Sequence, residues 1–81
     1  MELKDTIKMM DNADYKERFK AEYYQLKIRY EKLVAICDKW DKGVLEFKTT
    51  CPRPVYNLQL EGMKQYLNVL EFRAKLEDVE L

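Results

Sequence analysis

Apolar residues fall along the chain in steps of three and four, the spacing of helix faces. Phe19, Tyr23, Leu26, Tyr30, Leu33, Cys37 and Trp40 follow one another at 4, 3, 4, 3, 4, 3, a seam kept over three heptads. Asp14 with Glu17 three residues later reads as a capping box at its start. Gly43 reads as the left-handed residue past its end, with Lys42 just inside and Val44 just outside. The pattern predicts one long helix over 14–42, roughly 42 Å in length. A second set, Tyr56, Leu60, Met63, Leu67, Leu70 and Ala74, predicts another over 52–78. Thr50 or Cys51 is its expected cap, with Pro52 and Pro54 in the first turn, where a missing N–H costs little.

Before the first long helix, residues 1–12 read as a short helix with Leu3, Ile7 and Met10 on one side. About three turns do not hold in water alone, so this segment must dock or fray. The connection 43–51 is short and carries Val44, Leu45 and Phe47, which are expected to fold back over the hairpin end. A connection of that length makes the two long helices antiparallel. The fold class is therefore all-α, a single helical domain over 1–81 with a short N-terminal helix and a long antiparallel hairpin.

Each long helix carries a second stripe. Ala21, Tyr24, Ile28 and Ala35 lie off the seam of the first. Val55, Gln59, Gly62, Tyr66, Val69, Arg73 and Leu76 form a row on the second. Two facing helices cover one stripe apiece, and the N-terminal helix is too short to cover both of the others. The expected state is a homo-oligomer of hairpins, a dimer being the commonest arrangement. The alternative is a monomeric three-helix bundle with a greasy surface.

Composition then narrows the chemistry. The 81 residues include 15 Lys+Arg and 15 Asp+Glu, and neither His nor Ser. That excludes Ser–His and Cys–His catalysis and any His-ligated metal site, so no catalytic residue, metal or cofactor is expected. Neutral charge argues against binding nucleic-acid polymers, which needs a basic excess. No apolar run approaches the roughly 20 residues of a bilayer span, no secretory leader is expected, and the two cysteines suit a reducing cytoplasm. The zero is nonetheless a sum of unlike parts. The helix over 15–42 is +3, residues 1–14 and 55–81 are each −2, and the connection is +1. Glu17 with Lys20, and Glu71 with Lys75, read as ordinary helix-surface pairs. Cys37 reads as a core residue and Cys51 as structural or capping.

Candidate chemistry is therefore binding. Tyr24 and Tyr66 lie off the seam, and aromatic faces stack on nucleobases. Gln59, Gly62, Tyr66 and Arg73 share one stripe, which at a chain–chain interface suits a planar ligand with its phosphate on Arg73. The alternative is that Gly62 permits close helix packing and Arg73 meets a carboxylate across the interface. Thr49, Thr50 and Arg53 at the start of the second long helix form another candidate anion site, weakened by the two prolines.

The stretch EYYQLKIRYEKL (22–33), the T-C-P at 50–52 and the run MKQYLNVLEFRA (63–74) resemble small helical-hairpin proteins of phages and prophages related to crAss-like phage. A more distant similarity, through Gln59, Met63 and Tyr66, is to phage anti-CBASS and anti-Thoeris proteins. The resemblance implies a compact, oligomeric, non-catalytic sponge for a cyclic nucleotide immune signal, acting in the cytoplasm of an infected bacterium. On that reading Arg73 and Arg29 meet phosphate and Tyr66 or Tyr24 stacks on a base, with Arg53 and Gln59 as further ligand residues. The rival expectation is an oligomeric helical adaptor or inhibitor of a host or phage protein.

Overall fold

Both long helices form, and the N-terminal segment is helical in two short pieces; of the α-helices, only the first long one opens on a side-chain cap. The computed structural model describes residues 1–81. A 3₁₀ turn at Leu3–Thr6 runs into α1 (Ile7–Met10), followed by α2 (Tyr15–Asp41) and α3 (Arg53–Leu76). Asp14 caps α2 by accepting the Lys16 N–H at 3.0 Å. Only half of the expected capping box forms, because Asn12 Oδ1 already accepts the Asp14 N–H at 2.9 Å and Glu17 turns to Lys20 instead. At the far end Gly43 has φ 73, and the Val44 N–H returns to Lys39 O at 2.9 Å, the Schellman closure that the glycine signals.

α3 departs from expectation at its start. Neither Thr50 nor Cys51 caps it; the N-cap is Pro52, with no side-chain bond. Pro52 keeps an extended ψ of 143, so the helix starts only at Arg53 and Pro52 takes the capping place. Pro54 occupies the second helical position. The C-terminus of α3 repeats the Schellman pattern without glycine: Asp78 adopts φ 61, and the Val79 N–H bonds to Ala74 O at 2.8 Å. This turn drives Val79 into the core.

The two long helices pack antiparallel. Tyr23 meets Glu71 near one end, and Trp40 meets Tyr56 near the other. Phe19 and Tyr23 of α2 bury against Leu67, Leu70 and Ala74 of α3, with Val79 closing the cluster and Tyr24, Leu26 and Tyr30 packed around it. The Tyr24 ring sits edge-on to Tyr23 at 5.3 Å, so it belongs to the core margin and not to a separate stripe. Cys37 is buried further along and is a free thiol, as its seam position implies. Glu71 does not pair with Lys75; it accepts the Tyr23 hydroxyl at 2.7 Å.

The N-terminal segment docks on α2, though not through the expected face. Ile7 and Met10 are exposed, while Thr6 is fully buried and Leu3 and Met9 are half-buried. Residues three apart eclipse in a 3₁₀ helix, so opening with that turn aligns Leu3, Thr6 and Met9 in place of the α-helical set. The connection also differs. Val44 and Phe47 stay exposed and only Leu45 is half-buried. The Trp40–Tyr56 edge contact (5.8 Å) and Arg53 over the Trp40 ring (5.9 Å) already cover the hairpin end.

Burial, followed by the Glu71 carboxylate, pushes the Tyr23 phenol up to about 12 from the usual 10.0. A folded-state value above the unfolded one stabilises fully below pH 10, and that contribution is lost as pH climbs to about 12. Chemical denaturation across this window should show stability falling, and Tyr23→Phe should flatten the fall. At neutral pH the same variant should cost about 1 kcal/mol, the worth of one hydrogen bond whose acceptor returns to water.

Candidate functional site

The heptad seam of α2 has a polar counterpart. Arg18, Glu22, Gln25 and Arg29 step by 4, 3 and 4, and this row faces a groove of about 440 Å³ between α1 and α3. Met10 forms one wall and Tyr66 the other, with Ala21 and Leu26 also in the lining. Three helices meet here because the N-terminal segment is short. It covers the first turns of α2 and stops.

Internal bonds spend some of these groups and leave others free. Arg18 Nη1 donates to the carbonyls of Asn12 (2.7 Å) and Ala13 (2.8 Å), tying the linker after α1 to α2. The Gln25 amide donates to Thr6 Oγ1 at 3.0 Å and to Met10 Sδ, while the Thr6 hydroxyl donates to Leu3 O at 2.7 Å. The Tyr66 hydroxyl donates to Glu22 Oε2, which orients the ring at the groove edge. Arg29 enters no ion pair and no side-chain hydrogen bond. The groove thus holds two guanidiniums against one carboxylate that is already bonded. Guanidinium presents a planar fork suited to phosphate, and a tyrosine ring offers a face for a flat group.

Of the residues expected to bind, the structure brings Arg29 and Tyr66 together in this groove. The others go elsewhere. Tyr24 packs at the core margin. Arg53 makes two bonds to Asp41, at 3.0 and 3.1 Å, and a third to Asn57, so it clamps the hairpin end and the proposed Thr49–Thr50–Arg53 anion site has no free cation. That pairing lowers the Asp41 carboxyl and raises the Arg53 guanidinium, the hydrogen bond being the main cause in both. Arg73 bonds Glu77 at 2.7 Å, which raises its pKa, and lies 4.9 Å above the Phe19 ring as a lid on the core. Gln59 is exposed two turns before Tyr66 and outside the groove lining.

Sequence reasoning missed Arg18, Glu22 and Gln25. The signal was present in their 4, 3, 4 spacing, but a polar row at that spacing is also what a solvated face shows. The buried Thr6, which turns Gln25 inward, has no signature in the sequence.

Since Gln25 holds α1 as a groove wall, Gln25→Leu should loosen residues 3–10 selectively. Hydrogen exchange at their amides should quicken roughly fivefold, as expected for about 1 kcal/mol lost, while the core of α2 and α3 keeps its protection.

No curated protein and no solved structure matches the chain. A family model does. The model described as Sequestin matches residues 13–76, which take in α2, the connection and α3. By that match the chain belongs to the Sequestin family, whose name denotes a protein that sequesters.

Proposed function

We propose that the protein sequesters a cyclic nucleotide immune signal for a phage, holding it without altering it. The observation that carries this reading is Arg29, an unspent guanidinium lining the same open groove as Tyr66. A cyclic nucleotide offers what that pair recognises: phosphodiester charge for Arg29, with Arg18 near, and a flat base for Tyr66. The family name agrees with sequestration. A non-catalytic role is supported by the lining, whose one carboxylate, Glu22, is engaged by the Tyr66 phenol. The rival reading, an adaptor that binds a host or phage protein, draws on the apolar outer face of α3.

Thermal unfolding against a panel of cyclic di- and trinucleotides and cyclic ADP-ribose isomers tests the proposal. A ligand at a hundredfold excess over its Kd adds roughly 2.7 kcal/mol, about 10 °C or more for a domain of this size. Arg29→Ala should weaken binding at least tenfold and leave the unliganded Tm unchanged, because Arg29 is bonded to nothing in the chain. Ligand released by heat should be chromatographically intact. A flat response to the whole panel would favour the adaptor, and a cleaved ligand would point to an enzyme.

A further inference from the structure

α3 carries a second heptad seam on the side turned away from α2. Leu58, Gly62, Gln65, Val69, Phe72 and Leu76 step by 4, 3, 4, 3, 4, and every one of them is exposed. Leu67, Leu70 and Ala74, the residues that α3 buries, lie about half a turn away. Leu58, Val69, Phe72 and Leu76 are 69%, 56%, 64% and 70% exposed, four apolar side chains on one line that only Gly62 and Gln65 interrupt.

Gly62 marks what this row is for. Glycine inside a helix is destabilising relative to alanine. Nothing in the chain requires it, since a Cβ placed there would meet no atom within 4 Å. Its missing side chain becomes useful only when something large lies over it from outside.

The geometry points to a second copy of this chain, docked antiparallel along α3 in one register. With Gly62 opposite Phe72 of the partner subunit, the seam pairs layer by layer. Leu58 meets the partner's Leu76, and Gln65 meets the partner's Val69. Twofold symmetry repeats each contact, so both Phe72 rings fall over a glycine. At the flank, Glu61 faces the partner's Lys75, again twice. Neither Glu61 nor Lys75 has an ion-pair partner within its own chain. Flanking charges of this kind fix partner and direction in paired helices.

Other alignments lose these features together. Sliding the partner by one heptad toward the start of α3 sets Gly62 against Gln65, brings Glu61 to the neutral Asn68, and leaves Leu76 uncovered. A parallel pair sets Gly62 against the partner's Gly62, a void, and Phe72 against the partner's Phe72. The antiparallel register alone fills the gap and pairs the charges. It also sets Tyr66 beside the partner's Tyr66 at the twofold axis, so the two grooves adjoin. The α3 seam owes nothing to the groove and pairs in this way whether or not a nucleotide binds there.

Sedimentation equilibrium of the full chain tests the arrangement. The expected mass is twice 9.8 kDa at micromolar concentration. Phe72→Asp should give a monomer with unchanged helical circular dichroism, because Phe72 supports nothing inside the chain. Gly62→Leu should weaken the dimer at least tenfold while raising helicity of the monomer. Glu61→Lys and Lys75→Glu should each weaken it, and the double exchange should restore it, a rescue particular to this register. A monomer at all concentrations overturns the inference. So does an assembly whose mass ignores Phe72→Asp, or a double exchange as weak as the single ones.

Discussion

Two helices can shield only the side chains that lie between them, and this shortage of cover governs the molecule. The inter-helix layer is Phe19 and Tyr23 against Leu67, Leu70 and Ala74, and it occupies only one end of the hairpin. Its margins, and the aromatic residues further along the hairpin, carry charged groups used as lids. Arg73 lies over Phe19, Lys64 over Tyr30 and Arg53 over Trp40. Long cationic side chains cover apolar surface with their stems while their heads stay in water. The partly basic character of α2 and the acidic character of the chain ends follow the same logic, with Lys16 reaching across to the carbonyl of Asp78 at 3.0 Å.

The candidate groove exists because of that shortage. The N-terminal segment caps one flank of α2 but is too short to reach further, so a crevice stays open beyond Met10. A groove at the meeting of three elements can be lined by polar groups held in place from behind. Thr6 and Gln25 do so on one side and Glu22 on the other. Arg29, one turn past Gln25, meets no bonding partner from the N-terminal segment.

Sequence periodicity was sufficient for the hairpin. The seams of both helices, the Asp14 cap, the Gly43 terminus and the core place of Cys37 are all properties of local spacing and capping chemistry, which the chain states directly. Legibility failed wherever a residue had two available partners. Asp14 had Glu17 or Asn12, Glu71 had Lys75 or Tyr23, and Arg73 had a ligand or Glu77; tertiary geometry chose the second each time. The N-terminal phase was misjudged because a 3₁₀ opening changes which residues line up. Half of the groove, Arg29 and Tyr66, was visible as chemistry without a location. The other half was hidden as an ordinary solvated row.

The closed hairpin end has a consequence of its own. Because Trp40, Tyr56 and the Arg53–Asp41 clamp finish the helix pair by themselves, the nine residues from Gly43 to Cys51 carry little of its register. Lengthening such a segment costs only closure entropy, about 0.6 kcal/mol for each doubling. The tip near Glu46 is therefore a permissive place for variation. An inserted fluorophore or affinity tag at that tip would ride on the molecule while leaving both ends of the helix pair as they are.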